Sequence, residues 1–572
     1  MPPPAVKAEA QSTPSRTLLG LQPAVVITAC LVLLYFLGTF LVMRVLIFDD
    51  SFITYRYAKN LASGFGITWN PHEAPVEGYT NFLLVLLLAP VIKLGIDPLA
   101  ATRVFSLLAG AGIVCLLFLA ARKLYGASGS AAALIALGFL LISRTHMLVM
   151  VGLETVLFGA AFFEAFLLGC RYLDSEKPRD AAWFGAAAFT ALLLRPEAVF
   201  LVLAFAAVIL ARGLRTPGRA KVITVPAKMT ALTFLLPLAA YLLWKYLHFG
   251  DLLPNPYYIK AAAPQLISRL GVITVQLFFQ MFWILLPAAA ASFWLAKGDR
   301  GQRAMGAIAL LLYLAYYLHV EPLMDIEGRF LYPAAILLFF LALPAATAGF
   351  RKLEGLRWPG LLKSALACLL VVGVCNWKAP YETYFTLTKT AFAANNVRIN
   401  NGLMQREDRL GKDLARYPGI ERVRIAFGDA GVIPYHSGAL HLDVVGLNDR
   451  VIPRVKDPDT LVDYFFDQQP DLVLQPVDAN GAWFRDGHGP LGNYAAWAGD
   501  PRWDRYAYAG SVALPGAYNL HLLVRRDLSD AAAFAAFLRT DVVDGYFSEL
   551  PLPLGSYRPL GQPVTWYQVR AQ

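Results

Sequence analysis

Apolar and polar positions along the chain fall into two regimes. Long apolar runs occupy 23–48, 81–96, 99–121, 129–142, 153–172, 181–195, 197–212, 229–248, 270–296, 304–320, 330–348 and 360–376, with short polar joints between them. A helix needs ~20 apolar residues to cross a bilayer, so residues 21–376 predict a polytopic helical membrane module, although several runs are shorter than that. Beyond Asn376 the runs shorten and begin to alternate. Val423–Phe427, His441–Val445, Asp471–Leu474, Tyr518–Val524 and, more loosely, Val564–Val569 read as strands, with a helix over 459–468. Residues 377–572 therefore predict an α/β domain long enough to have its own core. Residues 1–20 are Pro-rich and polar, which predicts a disordered tail. The first apolar run is too long for the core of a signal peptide and has no evident cleavage site, so it reads as a retained anchor.

Composition supports the membrane reading. The 572 residues are 57% hydrophobic and 16% charged, against ~25% charged in soluble domains, and the mean hydropathy is +0.51. The net charge of +10 raises the question of nucleic acid, but the Lys and Arg side chains cluster in short loops, which is a topology signal. Five cysteines, Cys30, Cys115, Cys170, Cys368 and Cys375, stand singly in or beside apolar runs and read as small hydrophobes.

Charge sets the expected orientation. Loop 212–228 carries Arg212, Arg215, Arg219, Lys221 and Lys228; loop 296–303 carries Lys297, Arg300 and Arg303; loop 350–357 carries Arg351, Lys352 and Arg357. All three read as cytoplasmic. The last run then exits outward and places 377–572 outside the cytoplasm, with the N-terminus inside. Twelve clean crossings would contradict that parity, so the expectation is 11 transmembrane helices, or 13, with the irregular segment sought in 81–150.

On this orientation the polar interruptions share the outer side. The chief one runs from Phe48 to Lys59, where Asp49 and Asp50 stand together at the mouth of the first span. Hydrocarbon cannot solvate such charges, so they either reach water or are used. Ile53, Tyr57 and Leu61 line one side of the segment that follows, with Arg56, Lys59 and Asn60 toward the other, which predicts a helix lying flat in the interface. A plain helix N-terminus with two acids accounts for the pair equally well. The outer loop 49–80 and its flank also hold His72, Glu77, Tyr79 and Asn81. Further along come Glu154, the Arg195-Pro196-Glu197 interruption, the Pro- and aromatic-rich loop with Tyr258 and Lys260, and Arg329. Arg is the side chain best shaped for phosphate. Each has a structural explanation, as a helix-terminal acid, as proline punctuation or as an aromatic belt. Their convergence on one side is the stronger signal. Gly428-Asp429-Ala430-Gly431 reads as a strand-end turn, with a phosphate cradle as the lesser alternative.

These residues carry a resemblance. Asp49-Asp50-Ser51-Phe52-Ile53, Arg56-Tyr57-Ala58, Asn60-Leu61 and Val76-Glu77-Gly78-Tyr79-Thr80-Asn81 resemble the first outer loop of GT-C glycosyltransferases. Gly152-Leu153-Glu154-Thr155, Leu194-Arg195-Pro196-Glu197 and the run from Phe249 to Lys260 are similar as well. Within that group the motifs resemble those of bacterial proteins related to the terminal arabinofuranosyltransferase of arabinogalactan. It extends to Gly428-Asp429-Ala430-Gly431 and Val445-Gly446-Leu447-Asn448-Asp449, but the arabinogalactan enzymes differ at 76–81, which leaves the acceptor open. The resemblance implies a polyprenyl-phosphate sugar donor, a pentofuranose among the sugars, and a carboxylate of the first outer loop as base. By position Asp49 takes that role, with Asp50 orienting it or binding acceptor; Arg195, Lys260 and Arg329 are candidates to meet the leaving phosphate. A Mg²⁺ or Mn²⁺ ion bridging Asp49, Glu154 and phosphate would suit oxygen ligands, but a monophosphate donor lessens the need and no cofactor is firmly expected. The implied acceptor is a glycan, lipid or protein of the cell envelope, and the implied location is the bacterial cytoplasmic membrane. The competing reading is a flippase or transporter of a lipid-linked sugar, which predicts functional charges in both leaflets and an inverted repeat, neither of which is evident. An anchored scaffold is disfavoured, because one span would serve it. There is no Walker loop, HExxH or CxxC pair, and no nucleophile elbow in convincing context, so the classes that depend on those motifs lose weight.

Overall fold

Helix α1 (Gln22–Met43) opens the structure, a computed structural model that describes residues 22–43, 47–216, 220–260, 267–295, 300–320, 322, 325–376, 404–478, 481–483, 490–514 and 518–543. The expected tail at 1–20 and the expected strand at 564–569 lie outside the described residues. Among those residues six helices are long and apolar enough to cross a membrane: Gln22–Leu41, Pro98–Lys123, Thr155–Ser175, Pro196–Leu214, Lys221–Phe249 and Gly328–Gly355. Helical hydrogen bonding satisfies the backbone within the segment itself, which apolar surroundings demand. Gly328–Gly355 is central, with 89% of its apolar window buried, whereas the first span has 17% buried and lies at the periphery.

A further apolar helix pair is bent, as a broken span or a re-entrant loop would be. Arg269–Phe282 and Leu285–Trp294 meet at 73°, a break inside what the sequence presents as one run over 270–296. The irregularity expected within 81–150 is present as short helices, Phe82–Lys93 with Pro90 inside it, Gly129–Ile142 and Thr145–Met150. The sharper break, however, lies between residues 282 and 285. Eleven or 13 crossings would call on helices beyond these seven, among them the short Phe82–Lys93, Gly129–Leu141 and Gly360–Val371.

Helix α2 (Asp49–Ala62) differs from expectation. It does not lie on an interface with its cations upward, because Phe52, Ile53, Tyr55, Arg56, Tyr57, Ala58 and Asn60 are all buried. The C-terminal α/β domain covers the face that water was expected to cover.

That domain holds a five-stranded sheet of order β2-β1-β3-β5-β4, with β1 Arg424–Phe427, β2 Leu440–Asp443, β3 Leu472–Val477, β4 Tyr506–Leu514 and β5 Tyr518–Arg525. β1 pairs parallel with β2 and with β3, in the registers Arg424 to Leu440 and Ile425 to Leu472. β5 runs antiparallel to β3 and β4. Successive side chains of a strand alternate between faces. Ile425, Phe427, Leu472 and Leu474 accordingly enter one core with Leu410, Leu414 and Phe534, while Ala426 and Val473 enter another with Leu461, Phe465 and Phe466. The result is a sheet with helices on both faces. Strand β4 carries Gly510 at a register shift opposite β5, and that break obscures its alternation in the sequence.

Candidate active site

The site begins at the first turn of α2. Neighbouring residues on a helix point ~100° apart, so two consecutive acids cannot share a partner easily, and here they do not. Asp49 turns to the C-terminal α/β domain, where Oδ2 accepts from the Gly431 amide at 3.0 Å and Oδ1 from the Val432 amide at 2.7 Å. Asp50 turns to the membrane module, where Arg329 Nη2 donates to Oδ2 at 3.1 Å. Arg329 stands at the start of the central span, buried, with its guanidinium over the rings of Phe330 and Phe48. Its Nε is buried and has no acceptor among the described residues.

A second cluster gathers the N-terminal ends of the Thr155–Ser175 and Pro196–Leu214 spans against the helix Arg300–His319. Arg195, extended between two helices, donates to Glu154 Oε1 at 2.8 Å and to Glu197 Oε1 at 2.7 Å. Its Nη2 also reaches the Tyr317 hydroxyl at 3.2 Å, and that hydroxyl donates in turn to Glu197. Asn81 donates to Glu154 Oε2 at 2.9 Å and exchanges hydrogen bonds with Thr54 of α2. All of these side chains are buried, and Arg329 is close enough to act electrostatically on Glu154, which links the two clusters.

The remaining predicted residues take other places. Glu77 is buried in an ion pair with Lys245 of the Lys221–Phe249 span, at 2.7 Å. Tyr79 is buried edge-on to Tyr57, and its hydroxyl has no partner among the described residues. Arg56 is used structurally: Nε donates to Trp69 O at 3.0 Å, Nη2 to Ala439 O at 2.8 Å and to Asn70 Oδ1 at 3.0 Å, and Nη1 to Pro434 O. It clamps the outer domain to the loop and is not brought to the acids. His72 is exposed on a turn against Phe65 and is likewise apart. Tyr258 donates to Asp251 at 2.9 Å beneath the Arg454 guanidinium, a contact between the outer domain and the loop 250–260. Lys260 ends the helix Asn255–Lys260, and its side chain lies outside the described residues.

Electrostatics separate the carboxylates outside the spans. Burial, the Asp429 carboxylate and the adjacent Asp50 push Asp49 well above the usual aspartate value, against the lowering effect of its two amide donors. Burial raises Glu77 to about 7 despite Lys245. No group of three or more His, Cys, Asp or Glu side chains among the described residues is disposed to hold a metal. The expected bridge from Asp49 to Glu154 fits poorly, because Arg195 and Asn81 occupy both Glu154 oxygens and two amides hold Asp49.

Sequence reasoning missed Lys245, Tyr317, Asp429 and Arg454. A lysine within an apolar run marks itself as a functional candidate, so Lys245 had a signal. Tyr317 had none, being one aromatic among many on its helix.

The described geometry has counterparts among known proteins. A family described as a domain of unknown function (DUF8728) matches residues 402–521, from the start of the C-terminal α/β domain into β5. No curated protein matches the sequence. Among solved structures the chain is similar to ArnT from Cupriavidus metallidurans bound to undecaprenyl phosphate, at TM-score 0.51 and 13% identity, covering 87% of this chain and 97% of that one. The apo ArnT structure gives TM-score 0.50, 13% identity and coverages of 86% and 97%. An Archaeoglobus fulgidus oligosaccharyltransferase tethered to an acceptor peptide is more distant, at TM-score 0.42, 12% identity and coverages of 74% and 64%. The chain thus shares its fold with ArnT, as a polytopic helical membrane protein with a C-terminal α/β region.

Proposed function

We propose that the chain is a membrane glycosyltransferase. It takes a sugar, a pentofuranose among the candidates, from a polyprenyl-phosphate donor and transfers it to a glycan, lipid or protein acceptor of the cell envelope. The reaction takes place on the outer side of the bacterial cytoplasmic membrane. The observation that carries the reading is the divergence of the two acids at the mouth of the first span, one held by backbone amides and one by a buried arginine whose Nε–H has no acceptor among the described residues. The fold it shares with a protein solved with undecaprenyl phosphate supports a lipid-linked donor.

The chemistry follows from the residues. The acceptor hydroxyl is a poor nucleophile, and a placed carboxylate that takes its proton contributes ~10²–10⁴-fold. Asp49 serves as that base: its raised affinity for protons suits the task, and its two amide donors fix its direction. The acceptor oxygen bonds to the anomeric carbon, the bond from that carbon to the phosphate oxygen breaks, and polyprenyl phosphate departs with the electron pair. Arg329 meets the leaving phosphate through the Nε–H that has no acceptor among the described residues. Arg195 is less suited to that role, since Glu154 and Glu197 already neutralise it.

Purified protein incubated with defined polyprenyl-phosphate sugars should release polyprenyl phosphate in the presence of acceptor. Asp49→Asn, nearly isosteric but unable to take the proton, should lose kcat by ~10²-fold or more with donor KM retained. Near-wild-type turnover in Asp49→Asn would sink the base assignment, and vectorial movement of intact donor without sugar release would favour the transporter reading.

A further inference from the structure

Open parallel sheets bind ligands outside the carboxyl ends of their strands, where the strand order reverses. In the β2-β1-β3 half of the outer domain that crevice is filled by the membrane module. The turn after β1 meets Asp49, and the loop after β2 meets the first outer loop, where Asn448 accepts from the Tyr57 hydroxyl at 3.1 Å. The fit is close. A Cβ on Gly431 would lie 2.0 Å from the Asp49 carbonyl oxygen and 2.6 Å from its Oδ1, and a Cβ on Gly78 would lie 1.8 Å from Asn448 Oδ1. Only glycine lets the backbones approach so far.

We infer that the turn from Gly428 to Val432 is a positioning element of the catalytic centre, whose Gly431 and Val432 amides aim the Asp49 carboxylate at the acceptor. The inference rests on the transferase reading and deepens it. The outer domain is then part of the catalytic device rather than a separate binding module. Arg56, Lys59 and Asn70 hold it in register: Arg56 donates to Pro434 and Ala439, Lys59 donates to Tyr435 O at 2.9 Å, and Asn70 Nδ2 donates to His441 O at 3.1 Å. Every one of these bonds joins the α2 loop to the residues from Pro434 to His441. A change in docking therefore moves the Asp49 partners directly.

Two variants of the full-length protein test this, with a defined polyprenyl-phosphate sugar as donor. Gly431→Ala forces the turn away from Asp49. Val432→Pro removes the 2.7 Å donor at the first position of a helix, where proline is tolerated. A displacement of ~1 Å at a reacting group costs ~10²-fold, so both should lower kcat by about that factor and leave donor KM nearly unchanged. In the Asp49→Asn background neither should lower residual turnover further, whereas a purely structural defect would add. Retained kcat in Val432→Pro, a loss confined to donor KM, or full additivity would each overturn the inference.

A measurement independent of those variants' folding is amide hydrogen exchange over 428–437. Asp49→Asn should speed exchange there relative to the unaltered protein, and equal rates would overturn the inference. Failure of the broader reading looks different: the unaltered protein would then release no polyprenyl phosphate at all.

Discussion

Arg329 donates to Asp50 Oδ2 at 3.1 Å from one nitrogen, while its buried Nε has no acceptor among the described residues. A buried polar group without a partner is costly, and a ligand that supplies the missing acceptor recovers that cost. A phosphate oxygen is such an acceptor. Hydrogen bonds to charged groups contribute about 1.5–3 kcal/mol, which is ~10–100-fold in an equilibrium. Arg329→Lys keeps a cation for Asp50 but loses the fork, and should weaken the donor by about that range. Steady-state kinetics with varied donor checks this, and an unchanged kcat/KM would detach Arg329 from the phosphate.

The pH dependence of transfer has a predicted sign. On the proposed mechanism Asp49 acts as a base only when ionised, so activity should be present above its pKa and be lost as pH falls through it. Burial, Asp429 and Asp50 raise that pKa above the ordinary aspartate range, so the acid limb of kcat/KM should lie above it as well. Arg329 faces Asp50, and His436 on the adjoining helix is held by Asp408 at 2.9 Å, so neither offers Asp49 a direct counter-charge. Asp429→Asn should move the limb to lower pH. A limb that stayed in place would remove Asp429 from the electrostatics of the site.

The membrane character, the strands β1, β2, β3 and β5 and the charged residues beside the apolar runs were legible because each leaves a local pattern. Asp49, Asp50, Glu154, Arg195, Glu197 and Arg329 stand out as charges that hydrocarbon disfavours, and the structure gathers them in two linked clusters. Who pairs with whom was not legible, since it depends on contacts between residues hundreds of positions apart, as Asp49 with Val432 shows. The face of α2 that carries Arg56 reads as water-facing in isolation, and is buried only because a domain far along the chain supplies carbonyl acceptors. Strand β4 escaped for a local reason, the register shift at Gly510.

Orientation gives a further prediction. The loops around Arg212, Lys297 and Arg351 carry the cations that favour the cytoplasmic side. A reporter active only in the cytoplasm, fused after Gln572, should therefore stay silent, while one inserted in the loop near Arg215 should be active. The reverse result would turn the acids at the mouth of the first span inward and remove the outward-facing centre.

Glu77 and Lys245 make a buried ion pair at 2.7 Å between the first outer loop and a span, and both side chains are nearly inaccessible. Removing one partner of such a pair strands the other charge, which costs about 3–5 kcal/mol, whereas replacing both with apolar residues of similar volume is often neutral. Burial already pushes Glu77 up to about 7, so without Lys245 its charge has little to hold it. Lys245→Met alone should lower the thermal unfolding temperature by several degrees or more. Glu77→Leu combined with Lys245→Met should recover most of that loss in stability. Activity distinguishes the roles. If the pair only fastens the loop that carries Tyr79 and Asn81, the stable double variant should keep donor KM and much of its kcat. If Glu77 touches acceptor, the double variant should be stable and inactive.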